Sequence, residues 1–200
     1  MSSIHEFEIK YSVSVPELPI AASELAIWLP YPTDSRGQEI LSIGIETDLN
    51  YTIKYDQLFG NAVLHAVITD EPANIEMSVV ARRQEICVDL AKKVVFEKEQ
   101  SPCFHNQLIE NKFITFTDEI TTTARRLLAV HTDTVEIARG AYRYVLENMD
   151  YDKSGEGWGE GSTEYACALG KGNCTDFHSL FIGILRAAGI AAQFEIGVAF

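Results

Sequence analysis

Apolar and polar residues alternate through the first half of the chain. Phe7, Ile9, Tyr11, Val13 and Val15 alternate with polar partners until Pro16 and Pro19 end the run. Leu25, Ile27 and Leu29 repeat the pattern ahead of Pro30-Tyr31-Pro32-Thr33-Asp34-Ser35-Arg36-Gly37, a segment of turn formers. Strand-like runs follow at 40–46, 51–55, 62–69 and 75–87, separated by Asn, Asp, Gly and Pro. Short strands at such close spacing predict an antiparallel layer of the β-sandwich type.

The period then changes. Residues 89–116 carry no clear repeat and are expected to connect. Thr117-Asp118-Glu119 opens a helix reaching about Ala129, with acidic residues in its first turn. Asp133-Thr134-Val135-Glu136 has capping-box form and opens a second, through Ile137, Ala141, Tyr144, Val145 and Leu146. A polar, glycine-rich loop covers 151–161. Ser162-Thr163-Glu164 then caps a short helical piece, 165–169, that stops at Gly170. A last helix follows Asn173, with Cys174 as its first residue and Asp176 at its third position. Phe177, Leu180, Phe181, Ile184, Leu185 and Ala188 recur at helical spacing, so this helix is expected to be central. Gly189 is its left-handed stop. From Ala192 alternation returns, with Phe194, Ile196, Val198 and Phe200 on one face, which predicts a strand. No internal repeat is present.

Two hundred residues fit one large domain or two small ones. The boundaries that the change of period suggests are 1–100 for a β domain and 110–200 for a helical core. With 46% hydrophobic residues there is enough apolar material for such cores. The formal net charge of −13 argues against nucleic acid and anionic membrane as partners, since both require a basic footprint. The amino terminus lacks the basic start and apolar stretch of a secretory signal, and the longest apolar run, 180–200, is broken by Arg186, Gln193 and Glu195. A cytoplasmic location is the expectation. Cys87, Cys103, Cys167 and Cys174 do not make a disulfide framework in a chain of this length, so reduced thiols are expected.

Cys174 is the chemical centre of the sequence. Gly170-Lys171-Gly172-Asn173 delivers it to the start of an apolar helix. Open N–H groups and the positive end of the dipole at such a start favour a thiolate over a thiol. A buried structural thiol is the alternative, because free cysteines are often core residues. Position favours the nucleophile. His178, one turn later on the same face, tilts toward the sulfur, but a residue on the same helix aligns poorly with an attacking thiol. It is read as a core or second-shell histidine. His5, His65, His105 and His131 lack any chemical context. Asp176 is read as a helix-start residue rather than an acid partner.

The run Gly170 to Phe181, with Leu185-Arg186-Ala187-Ala188-Gly189-Ile190-Ala191-Ala192-Gln193-Phe194, resembles the cysteine motif of the transglutaminase-like superfamily. The close resemblance covers 165–200, and a looser one runs back to Thr117. It implies a papain-like fold in which the cysteine opens the central helix. It also implies attack on a carboxamide or peptide carbonyl, assisted by a histidine and an aspartate on later strands that have no counterpart here. Many bacterial members carry an N-terminal β domain, which fits the first half. Trp158 and Tyr165 are candidates for the oxyanion site or a substrate channel beside the Cys174 N–H.

No metal or cofactor is expected. The spacing of Cys167, Cys174, Asp176 and His178 matches no common zinc pattern. Glu156 and Glu160 would repel a phosphate from the glycine loop, and Gly170-Lys171-Gly172 is not a P-loop. The sequence therefore predicts an α+β chain: an N-terminal antiparallel β-sandwich-like domain, then helices and the start of a papain-like transglutaminase core. Its expected function is a transglutaminase-like cysteine enzyme acting on protein or peptide amides by hydrolysis, deamidation or transamidation, represented by an incomplete chain. The alternative is a non-catalytic binding or structural protein that retains the fold.

Overall fold

The computed structural model describes residues 3–19, 22–69, 72–90 and 104–197. The chain divides into two compact units, Met1–Lys92 and Lys93–Phe200. The whole is mixed α and β, with antiparallel sheets in the first unit and helices in the second.

Among its described residues the first unit contains six strands: β1 (Ile4–Val15), β2 (Leu25–Tyr31), β3 (Gln38–Glu46), β4 (Tyr51–Tyr55), β5 (Ala62–Ile68) and β6 (Ala73–Gln84). They form two three-stranded antiparallel sheets, ordered β1-β6-β3 and β2-β5-β4. The central strands β5 and β6 bury every second side chain, as strict alternation requires when one face meets a core. Leu64 and Ala66 of β5 cluster with Ile75, Met77, Val79 and Ala81 of β6, and Ile27, Leu29, Ile40, Ile43 and Ile53 pack around them. The two sheets thus share one apolar cluster. β3 shifts register between Ile40 and Ser42.

Among its described residues the second unit contains four α-helices: α1 (Asp118–Val130), α2 (Thr134–Asn148), α3 (Thr163–Leu169) and α4 (Cys174–Ala187). Each begins where a side chain can accept the open N–H groups of the first turn. Thr117 Oγ1 accepts from Ile120, Asp133 Oδ1 from Val135 and Glu136, Ser162 Oγ from Tyr165, and Asn173 Oδ1 from Thr175. α4 is the hub. Its Leu180, Ile184 and Leu185 are buried with Ile120 of α1, Ala141 and Val145 of α2, and Ala166 of α3. Gly183 lets α1 and α3 approach closely, because a Cβ there would lie 3.0 Å from Ile120 Cδ1 and 3.1 Å from Thr163 Cγ2. α3 stops at Gly170, whose φ of 58° is left-handed.

Three features depart from the sequence expectation. Two short parallel strands, β7 (Asp150–Tyr151) and β8 (Lys171–Gly172), pair across the start of the glycine loop. A two-residue ladder has no period to read. The strand expected from Ala192 is not formed over 191–197. That segment is held otherwise: the Ala192 N–H donates to Gln107 O, and Ala192 O accepts from Arg186 Nε at 2.9 Å. Val198 and Phe200 of the expected strand lie outside the described residues, as does Cys103. His178, read as a core or second-shell residue, is exposed, which departs from the core reading alone, because its side of α4 faces away from the helical cluster. Among the described residues no helix is long and apolar enough to cross a membrane.

Candidate active site

Cys174 is the first residue of α4 and is exposed to solvent. The Asp176 carboxylate reaches back to the Asn173 N–H at 2.9 Å, which completes a capping box with the Asn173 side chain. The first turn is thereby fixed by the two residues that flank Cys174 and Thr175. Among the described residues neither the Cys174 N–H nor its Sγ has a hydrogen-bonding partner. An exposed sulfur and an open N–H, borne by one residue at a helix start, are the groups that attack on a carbonyl would use.

Asp176 does more than close the capping box. Its residue is fully buried, and its carboxylate also accepts the N–H groups of Gly159 at 2.7 Å and Gly161 at 3.2 Å. Three backbone donors and the helix start satisfy a carboxylate that has no cationic partner among the described residues. The glycines are positioned for this. Gly159 and Gly161 have φ of 86° and 74°. A Cβ on Gly159 would stand 3.0 Å from Asn173 Nδ2, and one on Gly161 would stand 3.0 Å from Thr175 Cγ2. The loop backbone therefore lies directly on the first turn of α4.

Trp158 sits between Gly157 and Gly159 and is 37% exposed. Lys153 Nζ lies 5.7 Å from the Tyr151 ring centroid and 5.9 Å from that of Trp158, within cation–π reach of both. Tyr151 in turn approaches Phe177 of α4 at 6.2 Å. Tyr165 packs its ring against Gly157, where a Cβ would come within 3.1 Å of it. Its hydroxyl is buried and has no hydrogen-bonding partner among the described residues. Of the two aromatic candidates, the loop thus presents Trp158 to solvent and encloses the Tyr165 hydroxyl.

The root of the loop is closed by an ion pair. Lys171 Nζ meets Asp152 Oδ2 at 3.1 Å and also donates to Ser154 O and Oγ. Hydrogen bonds from the Ser154 hydroxyl and N–H, joined by Lys171, hold the Asp152 carboxyl down at about 2.

The remaining candidates separate. The His178 ring lies edge-on to Phe194 with centroids 5.0 Å apart. Cys167 is half-buried, with Sγ 3.4 Å from Thr117 Oγ1, and burial pushes its thiol pKa up. Among the described residues no three His, Cys, Asp or Glu side chains gather as a metal site would need. Sequence reasoning missed the bonds from Gly159 and Gly161 to Asp176, and the Lys171–Asp152 pair. A signal for the first was present: glycine at every second position from 155 to 161, ahead of a carboxylate at a helix start.

Comparisons with known proteins bear on the family and the fold. Residues 121–200 match the family model of the transglutaminase-like superfamily. A Haemophilus influenzae protein of uncharacterised function is 24% identical over 205 residues, which cover 98% of this chain and 55% of that protein. The chain thus spans about half the length of that relative. Among solved structures, the fold is similar to that of a Cytophaga hutchinsonii protein whose name assigns it provisionally to the cysteine proteases. The TM-score is 0.73 at 12% identity, over 96% of this chain and 67% of that one.

Proposed function

We propose, from the match of residues 121–200 to the transglutaminase-like superfamily model, that Cys174 is the nucleophile of a cysteine enzyme acting on protein or peptide amide groups. The observation that carries this reading is the exposed Cys174 thiol at the first position of α4, with its own N–H free of any acceptor among the described residues.

In the proposed reaction the thiolate forms a bond to the amide carbonyl carbon, and the carbonyl oxygen takes the negative charge. The Cys174 N–H donates to that oxygen, with Trp158 flanking the site on the glycine loop. Collapse expels the amine or ammonia, which leaves with a proton, and an acyl-thioester remains on Cys174. Water then releases an acid, or an amine releases a new amide. The cycle needs a base that takes the thiol proton and returns it to the leaving nitrogen. The family resemblance assigns that part to a histidine on a later strand.

The competing reading is a non-catalytic binding protein. It draws on the lack of a hydrogen-bonded base at the Cys174 sulfur among the described residues. Ammonia release from a glutamine-containing peptide by the full-length protein separates the two. The enzyme reading expects release that disappears in Cys174→Ala. Release unchanged in Cys174→Ala would overturn it.

A further inference from the structure

The Asp176 carboxylate is sealed from solvent, points its oxygens at loop donors as well as at Asn173, and lies two residues from the thiol. Helix capping alone accounts for only one of its three bonds. The Asn173 N–H satisfies the capping box, whereas Gly159 and Gly161 reach the carboxylate from another part of the chain. Those two glycines bracket Glu160 and follow Trp158, so the bonds fix the stretch of loop that carries the indole.

The packing around the carboxylate permits little else. The direction in which a Gly172 side chain would project is filled by Asp176, with Oδ2 2.3 Å from the ideal Cβ position. Gly157, Gly159 and Gly161 set the loop down on Tyr165, Asn173 and Thr175 in turn. The loop thus rests on α3 and α4 through glycines, and Asp176 is the charged group that ties it there.

We propose that Asp176 is a positioning residue that latches the Trp158 loop onto the start of α4, so that Trp158 and the Cys174 N–H are held as one preorganised unit. The inference rests on the reading of Cys174 as the nucleophile only for its functional consequence. Its structural content is that the order of Trp158 depends on a carboxylate on the nucleophile's helix. Asparagine at this position offers one oxygen instead of two and turns an NH2 group either toward the Gly161 N–H or toward those of Gly159 and Asn173, so at least one loop N–H is released.

The test uses the whole chain, isotopically labelled, in a Trp28→Phe background, which leaves Trp158 as its one indole. In Asp176→Asn at least one of the Gly159 and Gly161 amides should exchange with solvent about tenfold faster or more, as expected for loss of a charge-assisted bond. The Trp158 indole resonance should shift and broaden, while Leu180 and Ile184 amides keep their protection. Asp133→Ala, which removes the α2 cap, should lower the unfolding midpoint yet leave Trp158 unmoved. An unchanged Trp158 in Asp176→Asn, with faster exchange confined to the first turn of α4, overturns the latch. Should that variant not fold, Gly161→Ala decides. Its Cβ presses on Thr175 and lifts the Gly161 N–H from the carboxylate while leaving the Asp176 side chain unsubstituted, so it should disturb Trp158 in the same way, and an unmoved signal overturns the proposal. Alkylation of Cys174 in the unsubstituted protein is read separately. An inert thiol beside a responsive Trp158 would remove the nucleophile and leave the latch standing.

Discussion

Asp176 Oδ2 accepts the Gly159 N–H at 2.7 Å across 17 positions of sequence, and the same oxygen accepts the Asn173 N–H at 2.9 Å. One carboxylate oxygen thereby joins the glycine loop to the residue before the nucleophile. The consequence is a site in which loop and helix start cannot move independently.

Gly172 has no room for a side chain. Its φ of 154° already favours glycine, and a Cβ would overlap Asp176 at Oδ2, Cβ and Cγ, all within 2.7 Å. Asp176 cannot swing aside without breaking its three backbone bonds. Gly172→Ala should therefore destabilise the helical unit by about 3 kcal/mol. Urea unfolding followed by far-UV circular dichroism reads this directly, and an unchanged midpoint would show that the carboxylate has freedom to move.

Arg186 is the one buried cation among the described residues of the helical unit. It is 4% exposed, its Nε donates to Ala192 O and its Nη1 to Ile109 O, each at 2.9 Å. Burial lowers its pKa, yet guanidinium remains charged in proteins. The fork ties two separate segments to the end of α4, a geometry that lysine cannot reproduce. Arg186→Met should cost about 2–3 kcal/mol, because two part-buried carbonyls lose charged donors. Arg186→Lys should recover only part of that loss in the same denaturation experiment.

The Lys171–Asp152 pair gives a dependence on pH with a definite sign. The folded pKa of Asp152 is held at about 2, below its ordinary 3.8. Its contribution is complete above the unfolded value and fades as the pH falls from there through the folded one. A carboxyl titration by NMR should find a midpoint near 2 for Asp152. In Lys171→Met the midpoint should rise while staying below the ordinary value, since the Ser154 bonds remain. A midpoint at the ordinary value in the unsubstituted protein would contradict the hydrogen-bond pattern.

Much of this architecture is readable from local chemistry. The strands of the β unit follow from alternation because one face of each meets a single apolar cluster. All four helix starts were marked by Thr117, Asp133, Ser162 and Asn173, since caps are local side-chain-to-backbone bonds. Contacts between distant segments were not readable. Asp176 looked like a capping residue because its partner at Asn173 is three positions away, while Gly159 and Gly161 arrive only through the folded loop. The alternation after Ala192 suggested a strand, but over 191–197 its backbone pairs with no strand among the described residues. His178 drew attention by its spacing from Cys174, yet the cluster beneath α4 turns it outward, where Phe194 meets it.

The central claim is that Cys174 is a nucleophile, and the rate of its alkylation measures that most directly. Cys87 is the internal reference, because it too is exposed, and the neighbouring Glu85 raises its pKa. Cys167 is half-buried with its pKa raised by burial, so it should react last. In a Cys103→Ser background, low iodoacetamide near neutral pH followed by peptide mass spectrometry should find Cys174 modified well before Cys87. Modification of Cys174 no faster than Cys87 would contradict the account.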